Sequence, residues 1–269
     1  MRLQVVEVFD SIFGWTGRRI IVATRYVLEL TIFCTASITD WVRQGHIANP
    51  ATRAALVSQL IFTGVDALPV ITLLAVIIGV AFSSQILFVL FPITTAREIT
   101  QILGSLITIE LSTLITAIVL IGRSGSAIAV DLGNMALHKE IEGLEMLGIN
   151  VRDFFVAPRL IGASISQLAL ATYFAGIATY GGVFFSGLLF SDEYLKLIPL
   201  LLTDIHPAVL GLFILKNLLF GIIIAGTACF HALHVERSPT EVPQQTQRAI
   251  VNGLLLIFVV DGITALARF

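Results

Sequence analysis

Five long apolar runs dominate the pattern of hydrophobic and polar positions along this chain. They cover approximately residues 67–91, 99–121, 160–190, 207–230 and 249–267. A helix needs about 20 apolar residues to cross the hydrocarbon core of a bilayer, and each run reaches or approaches that length. The third run exceeds it, which predicts a helix that is tilted or protrudes from the membrane. The pattern therefore predicts an all-α polytopic membrane protein with five transmembrane helices.

The composition supports this prediction. Of the 269 residues, 57% are hydrophobic and 13% are charged, whereas about 25% of the residues in soluble domains are charged. The net charge is −2 and the basic residues form no dense cluster, so we expect no nucleic-acid partner. Cys34 and Cys229 lie in apolar surroundings, outside any metal-binding or redox spacing. We therefore expect both to be buried thiols.

Residues 1–58 have a different pattern, in which charges interrupt the apolar positions. The interrupting residues of the later part are Arg18, Arg19, Arg25 and Glu29. Each such charge costs about 2.5–3.5 kcal/mol at the centre of a span. An interfacial helix with Trp15 and Trp41 at headgroup depth fits this pattern better. The sequence therefore predicts an N-terminal interfacial segment at 1–58 and a transmembrane domain at 59–269.

The lysines and arginines predict the orientation of the chain. Most of them precede the first run, lie between the second and third runs, or lie between the fourth and fifth. The opposite side has only Arg97, Lys196 and Arg268. Because cytoplasmic loops carry an excess of Lys and Arg, we expect the N-terminus and the segment 122–159 on the cytoplasmic side. With five spans, the C-terminus is then on the far side.

The segment 122–159 is the longest polar interruption between the apolar runs. Its middle keeps helical order, because four apolar residues recur at steps of four, three and three and so share one helix face. They are Leu137, Ile141, Leu144 and Leu147. Gly148 can adopt the left-handed conformation that ends a helix. Such an amphipathic helix binds another protein or lies on the bilayer surface, and a solvated loop with a packed helix is the alternative.

Small residues recur at steps of four in two of the runs. The two sets are Ala75, Gly79 and Ser83 in the first run and Ala178, Gly182 and Ser186 in the third. Small side chains at this spacing let another helix or an acyl chain approach closely. The pattern fits packing within the chain as well as it fits a dimer or ligand surface.

Glu110 lies in the middle of the second run. A carboxyl group at this depth is costly, so it should face a cavity, a partner or the interior of the bundle. We favour a functional cavity over a hydrogen bond between packed helices. No basic residue lies one helical turn away, so burial should favour the neutral form of the carboxyl group. Lys216 and Asp261, in the fourth and fifth runs, either form a buried pair or each reach the interface.

Catalytic motifs are absent or incomplete. No lysine follows a glycine, so the chain has no P-loop and any ATP chemistry belongs to a partner. Residues 122–125 read G-x-S-G, as in an intramembrane serine protease with His231 as its base. However, Ser124 begins a charged loop and His231 ends a helix, which disfavours that reading. His231 and His234 lack the acidic or cysteine neighbours of a metal site. We therefore expect no catalytic residue, metal site or cofactor in this chain.

Ordered motifs fill the segment 122–159. They read Gly122-Arg123-x-Gly125-x-Ala127, Asp131-Leu132-Gly133-x-Met135, Glu140-Ile141-x-x-Leu144, Met146-x-Gly148 and Val156-x-Pro158-Arg159. The pattern continues at Pro69, Gly79, Gln85, Glu110, Ser238-Pro239-Thr240 and Asp261. Over about residues 60–269 it resembles the MlaE/YrbE permeases, the membrane subunits of lipid-transporting ABC systems associated with MCE proteins.

The resemblance implies a homodimer in which each chain has an N-terminal interfacial helix and five spans. It implies a coupling helix at 134–148 that docks on a cytoplasmic ABC ATPase dimer, which binds ATP and Mg²⁺. It also implies a phospholipid pocket at the dimer interface, lined by the first, second and fifth spans and open toward a periplasmic MCE-domain protein. A small STAS-type regulatory subunit is a further candidate partner. The implied location is the bacterial inner membrane, with the N-terminus cytoplasmic and the C-terminus periplasmic.

The resemblance also assigns roles to residues. The lipid pocket or transport path would contain Ala75, Gly79, Ser83, Gln85, Glu110 and Asp261. The coupling to the ATPase would use Leu137, Lys139, Glu140, Ile141, Leu144, Glu145 and Leu147. Family members often read Arg-Glu-Leu-x-Pro around the glutamate, whereas this chain reads Ile109-Glu110-Leu111-Ser112-Thr113. Both the arginine and the proline are missing here, so the resemblance leaves open whether Glu110 is charge-paired and whether the second span has a proline kink.

Two functions follow as hypotheses. The resemblance implies ATP-driven transport of phospholipid between the inner membrane and an MCE protein, for outer-membrane lipid asymmetry or lipid uptake. The alternative is an ion-coupled secondary transporter or channel that uses Glu110, Lys216 and Asp261. That alternative needs no ATPase, which distinguishes the two.

Overall fold

The computed structural model describes residues 2–43, 50–190, 192–201, 207–235 and 238–266, with side chains from residue 21 onward except at 51, 192 and 207–209. Within these ranges the chain is helical and has no strand, which confirms the all-α prediction. The α-helices are α1 (Arg2–Arg43), α2 (Pro50–Thr63), α3 (Leu68–Leu90), α4 (Ala96–Leu103), α5 (Ser112–Leu120), α6 (Ser126–Leu137), α7 (Glu140–Met146), α8 (Ala157–Gly176), α9 (Gly182–Leu189), α10 (Ile198–Leu201), α11 (Pro207–Ala232) and α12 (Glu241–Leu266).

Among the described residues, short segments of other helix types join several of these helices. Two are 3₁₀ turns, at Val65–Ala67 and Asp192–Leu197. Four are π-helical, at Gly104–Leu111, Ile121–Gly125, Arg152–Val156 and Ile177–Gly181. Because π-helical segments inside α-helices are uncommon and often mark functional sites, their positions in the second and third spans bear on the function.

In the part of the chain that the structure describes, six helical stretches are long and apolar enough to cross a membrane. They are Ile21–Arg43, Thr52–Leu90, Ala96–Leu137, Arg152–Leu189, Leu210–Ala232 and Glu241–Leu266. The last five cover the runs predicted from the sequence to within three residues at each end. The first is an additional candidate by length and composition, within the segment that the sequence predicts to be interfacial.

Helix α1 meets the rest of the chain at one end of the bundle. The hydroxyl group of Tyr26 lies 3.1 Å from His231 Nε2, and the ring of Phe33 meets Phe230 edge-on at 5.7 Å. Tyr26 and Phe33 are about 10 Å apart along α1, yet they contact adjacent residues of α11. Cys34 on α1 also lies against Gly226, so α1 contacts α11 from Gly226 to His231, and the interfacial placement of residues 1–58 stays a prediction.

Local sequence explains where several helices begin. Pro69 and Pro158 lie in the first turns of α3 and α8, where a missing N–H costs nothing. A capping box of Thr95 and Glu98 begins α4, and the backbone N–H of Thr95 donates to Glu98 Oε2 at 3.3 Å. Such a box satisfies backbone donors that the first helical turn leaves free.

Two apolar clusters form the core of the described residues. One contains the fully buried side chains Ile71, Leu120, Phe174 and Phe220 from α3, α5, α8 and α11. The other lies at the α1 end of the bundle and contains Leu132, Leu160 and both cysteines. Cys34 and Cys229 are free and buried, which confirms the prediction of buried thiols.

The small residues of the first and third spans pack against each other. A side-chain carbon added at Gly79 would lie 2.5 Å from Ala178 Cα, and one at Gly182 would lie 2.4 Å from the backbone oxygen of Gly79. Ala75 and Ser83 on the same face are also fully buried. We call this contact the small-residue seam (Ala75, Gly79, Ser83 with Ala178 and Gly182). Of the two alternatives left open by the sequence, the structure shows packing within the chain.

The predicted helix at 134–148 is divided in two. Helix α6 ends at Leu137 and α7 begins at Glu140, with Lys139 between them in the left-handed conformation at φ 59°. The prediction of one continuous amphipathic helix is therefore wrong, because the backbone reverses its twist at Lys139. The predicted end is confirmed: Gly148 has φ 79°, and Ile149 N–H donates to the backbone oxygen of Leu144 at 3.0 Å, as in a Schellman cap.

Candidate functional site

Three charged side chains from three helical elements meet inside the bundle. Lys216 on α11 places its Nζ 2.7 Å from Glu110 Oε2, in the π segment Gly104–Leu111, and 2.5 Å from Asp261 Oδ1 on α12. The side chain of Lys216 is 3% exposed, whereas those of Glu110 and Asp261 are 23% and 15% exposed. We call these residues the charged triad. The lysine forms its buried centre, and the two carboxylates lie nearer the surface of the chain.

The contacts of Lys216 bear on two predictions, one for Glu110 and one for Lys216 and Asp261. The sequence shows no basic residue one helical turn from Glu110, but the structure places a cationic partner beside it. Its partner comes from another helix, 106 residues later in the chain, and not from its own helical turn. Lys216 and Asp261 form a buried pair and do not each reach the interface. The missing arginine before Glu110 is thus compensated by a lysine from α11.

The triad is costly to bury and therefore constrains the fold. Fully ionised, it carries one positive and two negative charges. In such surroundings, burying a charge without a partner costs on the order of several kcal/mol. The cationic Nζ of Lys216 also lies 6.0 Å from the centre of the Phe220 ring, within the range of a cation–π contact. These contacts satisfy the lysine from several sides.

Exposed apolar side chains lie within two helical turns before each carboxylate along the chain. Leu106 in the π segment is 38% exposed, and Phe258 and Leu255 on α12 are 51% and 60% exposed. A lipid-binding surface has this character, with a large apolar area and a few polar groups that fix orientation. Glu110 and Asp261 are the members of the predicted lipid pocket that the structure brings together.

The other predicted lipid-pocket residues lie elsewhere. Ala75, Gly79 and Ser83 are fully buried in the small-residue seam, so this face is filled by the third span and cannot line an open pocket in this structure. Gln85 is exposed on α3, outside the seam. Lys216 was not in the predicted pocket. The sequence shows a lysine within an apolar run, but it does not show which residues that lysine contacts.

The predicted coupling residues lie on α6, on α7 and in the turns around α7. Leu137, Ile141 and Leu144 are half-buried, whereas Leu147 is 78% exposed and Met146 beside it is 84% exposed. The charged members, Lys139, Glu140 and Glu145, are exposed. Lys139 Nζ lies 3.8 Å from Glu142 Oε2, an exposed contact that contributes little stability. Exposed apolar residues at the tip of a polar loop are suited to contact another protein.

A second ion pair connects two motifs of the same loop. Arg159, at the start of α8, pairs with Asp131 on α6, and its guanidinium carbon lies 5.8 Å from the Phe155 ring. Both charged residues line a cavity of about 550 Å³ between α2, α6 and the start of α8. The pair therefore joins the two ends of the loop.

The structure gives no support to hydrolytic chemistry in the described residues. The hydroxyl group of Ser124 is buried without a hydrogen-bond partner there. His231 instead contacts Tyr26, Gln245 and Asn252 at 3.1–3.2 Å. The serine–histidine pair of the protease hypothesis is therefore not formed. Across the described ranges, His, Cys, Asp and Glu form no group of three that could hold a metal ion.

Comparison with known proteins places the chain in a family. Residues 56–267 match the family described as Permease MlaE. A probable ABC transporter permease protein of Synechocystis is 29% identical over 86% of this chain and 87% of its own length. The intermembrane phospholipid transport system permease protein MlaE of Haemophilus influenzae is 25% identical over 80% of this chain and 82% of its own length. The chloroplast protein TRIGALACTOSYLDIACYLGLYCEROL 1 of Arabidopsis thaliana is 30% identical over 76% of this chain and 58% of its own length. The chain therefore belongs to the MlaE permease family and is a multi-pass membrane permease subunit.

Proposed function

We propose that this chain is the membrane subunit of an ATP-driven phospholipid transporter in the bacterial inner membrane. The observation that carries the proposal is the charged triad, whose carboxylates are partly exposed among apolar residues. Phospholipids combine a charged headgroup with apolar chains, and this surface offers a partner for each. The name of the Haemophilus relative, a phospholipid transport permease, supports the same substrate class.

The chemistry expected of the chain is binding and translocation. A lipid phosphate can exchange for one of the carboxylates on Lys216, so that the ammonium group keeps two anionic partners throughout. Acyl chains then lie along the apolar residues beside Glu110 and Asp261. No covalent bond is made or broken in this chain, and the energy comes from ATP and Mg²⁺ on a partner ATPase.

The proposed partners follow from the surfaces of the chain and from the family. A cytoplasmic ABC ATPase dimer would dock on α7 and the exposed Leu147. A second copy of the chain would cover the apolar face of the second and fifth spans beside the triad, and a periplasmic MCE-domain protein would receive or deliver the lipid. A STAS-type subunit would regulate the complex. Movement of α7 by the ATPase would then shift the two permease chains against each other.

The alternative function, an ion-coupled transporter or channel, uses the same triad. Acidic and basic residues inside a membrane often mark ion or proton paths. The two proposals differ in their partners, because only the ATP-driven transporter requires an ATPase. Mass spectrometry of the proteins that co-purify after mild detergent extraction distinguishes them. We expect a P-loop ATPase and an MCE protein, whereas recovery of the chain alone, under conditions that preserve other ABC complexes, would favour the ion-coupled alternative.

The coupling surface can be tested with Leu147→Asp. Leu147 is mostly exposed, unlike the half-buried Leu144, so the change should not unfold the chain. We expect ATPase binding to weaken at least about tenfold, because charging the apolar centre of an interface removes a major contact. Binding is measured by co-purification and by titration of the ATPase. Asn150→Asp is the matched control, since it adds the same charge at an exposed loop position off the apolar face. Equal binding by both variants would overturn the coupling assignment.

A further inference from the structure

Beside the charged triad, three buried polar side chains from three helices form a hydrogen-bonded cluster. They are Thr113 on α5, Gln167 on α8 and Asn217 on α11, and all are 0% exposed. Asn217 Nδ2 donates to Thr113 Oγ1 at 3.3 Å. Gln167 Nε2 donates to Asn217 Oδ1 at 3.1 Å and to the backbone oxygen of Thr113 at 3.2 Å. Because these bonds are buried and run between different helices, the cluster holds the three helices relative to one another.

The cluster and the ion pair connect the same turns of the same helices. Asn217 directly follows Lys216 on α11, and Thr113 lies one helical turn after Glu110. Because a helix moves largely as a rigid element, a displacement of α11 that separates Lys216 from Glu110 also separates Asn217 from Thr113. The hydroxyl group of Thr113 in addition donates to the backbone oxygen of Ile109 at 2.8 Å, next to the junction between the π segment and α5.

Asp261 has no comparable anchor. Among the described residues, its side chain pairs with Lys216, and its backbone oxygen accepts a bond from Thr264 on its own helix. Its helix, α12, presents exposed apolar side chains nearby, including Leu255 and Phe258. The surroundings of the two carboxylates therefore differ: Glu110 lies one helical turn from a cluster that links three helices, and no such cluster lies beside Asp261 among the described residues.

We propose that Thr113, Gln167 and Asn217 are positioning residues that keep Glu110 and Lys216 together as a fixed pair. In this arrangement Asp261 is the carboxylate that leaves Lys216 when α12 moves, and the phosphate group of a phospholipid takes its place. This inference rests on the proposed function, since it names the member of the triad that exchanges with the lipid.

The first test compares two threonines on one helix. Thr113→Val removes the hydroxyl group of the cluster. Thr116→Val removes a hydroxyl group one turn later that is equally buried and has no hydrogen-bond partner in the described residues. Export of acyl-labelled phosphatidylethanolamine is measured from proteoliposomes of phosphatidylethanolamine and phosphatidylglycerol that contain the complete complex. We expect Thr113→Val to lower the ATP-dependent rate about fivefold, and Thr116→Val and the hydroxyl-retaining Thr113→Ser to stay within about twofold. Equal losses in both valine variants would overturn the inference.

The second test asks which carboxylate the cluster serves. Asn217→Leu is combined with Glu110→Gln and, separately, with Asp261→Asn. If the cluster acts through Glu110, the fold-loss from Asn217→Leu should nearly vanish in the Glu110→Gln background and persist in the Asp261→Asn background. The same fold-loss in both backgrounds would show a merely structural role and overturn the inference.

Failure of the proposed function gives a different result. Transport that survives Lys216→Met would overturn the proposed function together with this inference. Transport that is lost with Lys216→Met but survives Asn217→Leu would overturn the positioning role alone.

Discussion

The small-residue seam and the charged triad lie in the same membrane-spanning bundle but differ in how far their residues are exposed. In the seam, Gly79 and Ala178 bring two backbones into direct contact and leave no space for a ligand. In the triad, Lys216 is buried, yet Glu110 and Asp261 keep 23% and 15% of their side chains exposed. The comparison teaches that small residues at steps of four mark close packing of helices, whereas charges within apolar runs mark the place where the bundle stays accessible.

The largest effect is expected at the centre of the triad. Lys216→Met leaves two carboxylates without their shared cation, so we expect a loss of about 3–5 kcal/mol in stability together with loss of lipid transport. The midpoint of thermal unfolding in detergent measures the first effect, and export from proteoliposomes measures the second. A triple variant, Lys216→Met with Glu110→Gln and Asp261→Asn, serves as the control because it removes all three charges. It should recover much of the stability but not the transport, and recovery of both would show that the triad is only structural.

A change in the seam should separate stability from transport. Gly79→Ala places a methyl group 2.5 Å from Ala178 Cα and its backbone oxygen, so the first and third spans must move apart. We expect a loss of about 1–3 kcal/mol from overpacking, with the transport rate per folded molecule unchanged. Gly176→Ala is the control, because nothing lies within 4 Å of an added carbon there. Loss of transport without a change in the unfolding midpoint would indicate that the seam residues take part in lipid transport, as the sequence predicts.

The same two regions show what the sequence could predict. Apolar runs and their lengths identify the spans, because hydrocarbon solvation acts on each helix separately. The lysine in the fourth run and the acids in the second and fifth were visible as costly residues. Their meeting was not, since Lys216 and Glu110 are 106 residues apart and only the packing of α11 on α5 brings them together. The break at Lys139 was missed for a related reason: the apolar spacing on either side of it continues through a single left-handed residue.

Thr108 and Thr179 connect the two regions, and their contact should have a smaller effect. Their hydroxyl groups lie 3.2 Å apart, between the π segment that holds Glu110 and the π segment Ile177–Gly181 behind the seam. Thr108→Val and Thr179→Val should each cost about 1 kcal/mol, the net value of one hydrogen bond. The double variant should cost little more than either single one. Additive losses, measured by thermal unfolding, would show that the two hydroxyl groups act independently.

The smallest effect is expected at Gln85, the predicted lipid-path residue that lies in neither region. Its side chain is exposed on α3, so Gln85→Ala should change the stability by no more than about 0.5 kcal/mol. If its amide contacts passing headgroups, transport should fall about twofold, as expected for loss of one weak hydrogen bond. Ser84→Ala is the control, because the hydroxyl group of Ser84 bonds within its own helix to Ala81 at 3.1 Å. Equal transport by both variants would remove Gln85 from the predicted lipid path and leave the triad as the polar part of that path.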